Sequence, residues 1–164
     1  MSRERAPGMA LLHPLAPLSL LVLLLNDHWL KHAHPGLVSG KLSDFAAVFL
    51  LPLLLHALFE LGIARGTGRA PRASLSNAAL LICVGVTCIV FALPEVWKPA
   101  ETAYCFGVAA LQWPFRALFA LSQGHAPQAL RPVAATADVT DLLALPSAYV
   151  AWKIARLHGL RGRP

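Results

Sequence analysis

Hydrophobic residues along this chain are grouped into five long runs, and short polar segments separate them. A helix needs about 20 mostly apolar residues to cross the hydrocarbon core of a bilayer, and each run approaches that length. Four of the runs predict membrane-spanning helices. These predicted spans cover about residues 9–30, 42–63, 76–97 and 139–157.

The fifth run, at about residues 103–123, has a polar stripe. Gln112, Arg116 and Gln123 recur at spacings of four and seven, which places them on one side of a helix. An arginine in the middle of the bilayer costs at least about 2.5 kcal/mol on insertion scales. We therefore predict that this run forms a re-entrant or interfacial helix on the outer face of the membrane. A fifth full crossing is the alternative.

The composition agrees with a membrane protein. Hydrophobic residues make up 57% of the 164 residues, the mean hydropathy is +0.59, and only 13% of the residues are charged. About a quarter of residues are charged in ordinary soluble domains. The sequence thus predicts an all-α integral membrane protein with one domain over residues 1–164. Its predicted architecture is a four-helix transmembrane bundle with the additional re-entrant or interfacial helix.

The net charge of +6 comes from basic residues whose positions indicate how the chain is oriented in the membrane, and not a nucleic-acid site. The arginines gather beside the apolar runs and form no basic groove with interleaved aromatic residues, so the expected partners are membrane lipids and not nucleic acid. The segment 64–77 holds three Arg and no acid, which is typical of a cytoplasmic loop. Arg3, Arg5 and the basic tail from Lys153 follow the same rule. We predict a protein of the bacterial inner membrane with both termini in the cytoplasm.

The segment from Asn26 to Asp44 is the most polar part of the chain, and it lies between two predicted spans on the outer face. His28 and His32 are four residues apart, so they share one face if the helix continues. Together with Asp27 they form a candidate site for a divalent metal such as zinc, manganese or copper. The alternative is a solvated histidine cluster at the membrane interface.

All four aspartates fall at predicted outer ends of helices, which indicates one outward-facing pocket. Carboxylates beside a cation suit proton transfer, and cations and amides recognise a phosphate or lipid headgroup. The alternative is structural, because acids in the first turn of a helix are stabilised by its macrodipole. The candidate catalytic residues are Asp27, Lys41, Asp44, Asp138 and Asp141, and the candidate substrate-binding residues are Asn26, Lys98 and Arg116.

Polar residues also occur in the inner half of the predicted membrane region. His56 and Glu60 are four residues apart on the second span, so they share a face and can form a hydrogen bond. We interpret the pair as a glutamate held by a histidine, and a buried proton or ion relay is the alternative. Ser76 or Asn77 is predicted to cap the third span.

No nucleotide-binding or serine-hydrolase motif occurs in the sequence. The pattern favours a small multi-pass membrane protein with a structural or transporter-accessory role, which associates with a second copy or with a partner membrane protein. The alternative is a membrane-embedded, metal-dependent hydrolase or transferase that acts on a lipid or lipid-linked substrate.

Overall fold

The computed structural model describes residues 7–34 and 36–161, without the side chains of residues 37, 38 and 158–161. Arg3, Arg5 and Arg163, which contribute to the predicted orientation, lie outside these residues. Every regular element in the described ranges is helical. The elements are a 3-10 turn at Met9–Leu12, α1 at Leu15–Leu25, a π-helical turn at Asn26–Leu30, α2 at Lys31–Ala33, α3 at Leu37–Thr67, α4 at Ala73–Val96, α5 at Lys98–Ser122, a 3-10 turn at Val139–Ala144 and α6 at Pro146–Arg161.

Three of the described helices are long and apolar enough to cross a membrane: the Ser39–Thr67 part of α3, α4 and α5. The prediction of a helical chain is confirmed, and these three helices have the length and the composition that a membrane crossing requires. The predicted spans at about 9–30 and 139–157 are instead divided between shorter elements. With a rise of 1.5 Å per residue, the 16 residues of α6 reach about 24 Å. The hydrocarbon core is about 30 Å thick, so these two crossings stay predictions.

The connection between α3 and α4 is shorter than the sequence predicts. The helix continues to Thr67 and ends at Gly68, whose positive φ of 69° is the left-handed conformation that glycine adopts at helix C-termini. Helix α4 already begins at Ala73. The predicted cap at Ser76 or Asn77 is therefore wrong, because both residues lie inside α4.

The chain is divided into two compact units. The first comprises residues up to Ile89 together with residues from Leu143. Its core contains residues of α1, α3, α4 and α6 and of the 3-10 turn at Met9–Leu12, which we call the N-terminal turn. Many of its buried residues are alanines, and such small side chains let helix backbones approach closely. The core cluster consists of Ala10, Ala16, Phe49, Leu53, Leu80, Ala151 and Ala155.

The second unit, Val90–Leu142, contains α5 and an irregular stretch over residues 123–138, which we call the return segment. Three hydrogen bonds define the direction in which the return segment runs. Trp113 Nε1 donates to Gln128 O at 2.9 Å, Val133 N donates to Cys105 O at 3.3 Å, and Asp138 N donates to Glu95 Oε2 at 2.7 Å. Successively later residues of the return segment thus bond to successively earlier residues of α5 and then of α4, so the return segment runs antiparallel to α5.

Candidate functional site

Several polar residues of the segment from Asn26 to Asp44 form a hydrogen-bonded cluster where the end of α1 and the π-helical turn meet α3. We call Asn26, Asp27, Lys31, Ser39 and Ser43 the junction cluster. Asn26 is only 1% exposed. Its Nδ2 donates to Ser39 O at 2.5 Å and to Ser43 Oγ at 2.6 Å. The side chain of Asn26 therefore joins the end of α1 to the beginning of α3.

The directions of these hydrogen bonds follow from the chemistry of the partners. A backbone carbonyl only accepts, so the NH₂ group of Asn26 must face Ser39 O. Ser43 Oγ accepts from the same NH₂ group and donates its own proton to Asp27 Oδ1 at 2.8 Å. The result is a directed chain from Asn26 through Ser43 to Asp27, which ends on a carboxylate.

Asp27 carries the negative charge of the junction cluster, and it lies outside the three helices of spanning length. Burial raises the pKa of its carboxyl, but hydrogen bonds from Lys31 and Ser43 and the positive charges of Lys31 and His28 lower it by more. The pKa of Asp27 is thus held below its ordinary value. The Lys31 Nζ to Asp27 Oδ1 distance is 2.7 Å. The ion pair is nearly half exposed, which limits its contribution to stability to roughly 0–1 kcal/mol.

Asn26 and Asp27 of the junction cluster lie in the π-helical turn, beside α3. Lys31 N–H donates to Asn26 O, five residues earlier, where an α-helix would use the carbonyl four residues earlier. The turn thus holds one residue more than an α-turn. Such insertions are frequent at functional positions in helices.

The predicted metal ligands are in the same region. His28 Nδ1 lies 3.0 Å from Leu24 O, and Asp27 already contacts Lys31 and Ser43. Among the residues that the structure describes, no three His, Cys, Asp or Glu side chains are grouped as metal ligands would be. A divalent-metal site at Asp27, His28 and His32 therefore gains no support from this geometry and stays a prediction.

The other predicted site residues are distributed over the two units. Lys41 and Asp44 lie one turn apart on α3, half-buried, in the same unit as Asn26 and Asp27. Lys98, Arg116, Asp138 and Asp141 belong to the second unit. The gathering of all of them in one pocket stays a prediction.

In the second unit, two of these residues have clear local roles. Asp138 Oδ1 accepts hydrogen bonds from Thr140 N at 2.9 Å and Thr140 Oγ1 at 2.7 Å, and Asp138 O accepts from Asp141 N. Asp138 thus caps the following 3-10 turn, in agreement with the structural interpretation. Lys98 Nζ lies 2.7 Å from Glu101 Oε2, and Glu101 is buried.

A second buried polar group joins α3 to α4. His56 Nε2 lies 3.7 Å from Glu60 Oε1, so the two residues share one face of α3 as predicted, but this distance is too long for the predicted hydrogen bond. The spacing of the two residues does not reveal the other partners of this group. Ser76 Oγ donates to Glu60 Oε1 at 2.7 Å, and Gly8 N donates to Glu60 Oε2 at 2.9 Å. Glu60 therefore holds both α4 and the N-terminal turn against α3.

The same contacts assign a proton to His56. Ser76 O can only accept, and the Ser76 hydroxyl proton is directed to Glu60, so Ser76 O and Ser76 Oγ both act as acceptors toward His56 Nε2 at 3.0 and 3.1 Å. His56 Nε2 therefore carries a proton. His56 Nδ1 is buried and has no hydrogen-bond partner among the described residues.

A cavity of about 650 Å³ lies between α5 and the return segment. Arg116, a predicted substrate-binding residue, lines it. Arg131 and His125 line it as well, although no spacing in the sequence connects them with Arg116. The remaining wall is formed by Trp113, Gln123, Gln128 and apolar residues, mostly alanines.

Comparison of this chain with protein-family models, with curated proteins and with solved structures finds no match.

Proposed function

We propose that this chain is a small multi-pass membrane protein with a structural or transporter-accessory role. The observation that carries the proposal is the junction cluster, in which the Asn26 amide, the Ser43 hydroxyl and the Asp27 carboxylate bond to one another and to Lys31. These bonds join two helix ends. Polar groups used in this way stabilise a helix junction in a setting where water is scarce.

The exposed apolar surface of the long helices supports the same role. Only 22% of the apolar window of α4 and 11% of that of α5 are buried within the protein. The outward side chains match a lipid environment, a second copy of the chain or a partner membrane protein. Large examples are Ile82, Ile89, Leu111, Phe115 and Phe119.

The return segment favours four crossings over five. Residues 125–138 have no regular secondary structure, and their backbone groups need partners that lipid does not supply. Each unsatisfied group in hydrocarbon costs several kcal/mol. A helix accompanied along its length by such a segment belongs at the interface or against other protein. We therefore propose that α5 lies on the outer face, with both termini of the chain in the cytoplasm.

Reporter fusions test this topology. A fusion at Pro164 is expected to report a cytoplasmic location, and a fusion within residues 122–137 is expected to report a periplasmic one. Five crossings would exchange both signals, because α5 would then carry the chain back to the cytoplasm before α6. A fusion in the Gly68–Arg72 connection serves as the control, since it is cytoplasmic in both arrangements.

One observation favours a second candidate, a membrane-embedded hydrolase or transferase for a lipid or lipid-linked substrate. Asn26 Oδ1 is buried and has no hydrogen-bond partner among the described residues. It is available to accept a hydrogen bond from a substrate beside the Asp27 carboxylate. In this proposal, Asp44 is the acid–base residue, and Lys41, one turn away on the same helix and in the same unit as Asn26, assists it.

Metal analysis of the detergent-purified full chain separates the two candidates. The accessory role predicts no stoichiometric divalent metal after purification without chelator. Stoichiometric zinc, manganese or copper that disappears in a His28→Ala/His32→Ala variant would contradict it and favour the metal-dependent enzyme. His125→Ala is the matched control, because His125 lies in the other unit and is outside the predicted ligand set.

A further inference from the structure

We infer that the cavity between α5 and the return segment is a binding site for an anionic lipid headgroup. This function goes beyond the structural role proposed above and takes from it only the membrane location. Three features support it, namely the charge of the cavity wall, the shape of the cavity and its apolar surroundings.

The wall of the cavity is positively charged and has no counter-charge. Arg116 and Arg131 both line it, His125 adds a third basic group, and no acidic residue is among the lining residues. Within the described part of the chain, neither arginine forms an ion pair with a carboxylate. Two guanidinium groups on one cavity repel each other, and a bound anion relieves that repulsion. Arginine recognises phosphate through paired N–H donors, which lysine lacks.

The cavity also has a defined shape. Trp113 Nε1 donates to Gln128 O at 2.9 Å, so an indole bridges α5 and the return segment at the cavity wall. The volume of about 650 Å³ lies in the range of roughly 300–1,000 Å³ that is typical of small-molecule sites. Gln123 and Gln128 add polar groups that suit the hydroxyls of a headgroup.

The surroundings of the cavity favour a lipid over a soluble anion. Phe119 lines the cavity and is 68% exposed, and its neighbour Leu118 is 66% exposed. The acyl chain of a lipid bound in the cavity would contact this surface, whereas a free phosphate has no group that could contact it. The exposed apolar area thus indicates that the ligand carries an acyl chain in addition to its anionic headgroup.

Binding of phosphatidylglycerol to the full-length protein in detergent tests the inference. Phosphatidylcholine, whose phosphate is balanced by a choline cation, is the net-neutral reference, and native mass spectrometry is the readout. The parent protein is expected to bind phosphatidylglycerol about tenfold or more tightly than phosphatidylcholine, because Arg116 and Arg131 repel the choline cation while both lipids offer a phosphate. The R116Q/R131Q variant is expected to lose this preference. R65Q/R69Q removes two exposed arginines elsewhere and is expected to keep it.

R116K/R131K keeps the two positive charges but lacks the paired N–H donors of the planar guanidinium groups. Its affinity for phosphatidylglycerol is therefore expected to lie between those of the parent and R116Q/R131Q. The inference is overturned if the parent protein shows no preference or if R116Q/R131Q retains it. If inorganic phosphate binds more tightly than phosphatidylglycerol, the site belongs to a soluble phosphate and the lipid assignment is overturned. The reporter fusions measure membrane topology separately, so neither result is confused with a failure of the proposed function.

Discussion

Replacement of Leu53 by alanine is expected to lower the free energy of unfolding by about 2–5 kcal/mol, the range for leucine-to-alanine changes in packed cores. Leu53 is fully buried in the middle of α3 and belongs to the core cluster with Phe49 and Leu80. The change removes apolar contacts on several helices at once and leaves a cavity that they cannot fill completely. Denaturant unfolding of the detergent-purified protein, followed by circular dichroism, measures the loss.

Leu54→Ala is the matched control for this prediction. Leu54 is the next residue on the same helix but is 41% exposed, so lipid or detergent covers much of its side chain. Alanine is also a good helix former. The expected loss is therefore less than about 1 kcal/mol. Equal losses for the two variants would show that α3 does not bury the face that contains Leu53.

Replacement of Ser76 by alanine is expected to cost about 1–3 kcal/mol, because it removes the hydroxyl that donates to the part-buried carboxylate of Glu60. Glu60 Oε1 loses its donor at 2.7 Å, and His56 Nε2 keeps only Ser76 O as an acceptor. The measurement is again the free energy of unfolding in detergent. A Glu60→Gln/Ser76→Ala double-mutant cycle is expected to show coupling of about 0.5–3 kcal/mol between the two residues.

Ser74→Ala controls for the loss of a hydroxyl near the beginning of α4. Ser74 is exposed and lies two residues before Ser76 in the same helix, so its replacement is expected to change stability by no more than about 0.5 kcal/mol. If Ser74→Ala and Ser76→Ala had the same small effect, or if the cycle showed no coupling, Glu60 would not hold α4 through Ser76.

The sequence predicts the helices well where apolar residues are continuous, and less well at their ends. The prediction of 42–63 for the second helix covers only the middle of α3, which extends from Leu37 to Thr67. Counting apolar residues finds the part that suits a membrane and misses the polar turns at both ends. The C-terminal end follows from backbone geometry, because Gly68 adopts a positive φ.

The candidate site is predictable only in part, for a similar reason. Charge and hydrogen-bonding capacity single out Asn26 and Asp27, but their partners Ser39 and Ser43 are uncharged and resemble ordinary helix residues. The spacing of four between the two serines places both on one buried face of α3, which is the available signal for Ser43. Ser39 accepts from Asn26 through its backbone carbonyl, which no side-chain pattern reveals. The sequence predicts a cap at Ser76 or Asn77 and misses the contact of Ser76 with Glu60, because that contact joins residues 16 apart in sequence and depends on tertiary packing.

The π-helical turn has a consequence for comparisons among related chains. A chain with one residue fewer between Leu25 and Lys31 could close this turn as an ordinary α-helix. The wider π-helical turn takes about one residue more than an α-turn to cover the same rotation, so the flanking segments would keep nearly the same faces toward α3. We therefore expect that, wherever relatives of this protein are aligned, a one-residue gap at Asn26–Leu30 leaves the buried faces of the flanking helices unchanged.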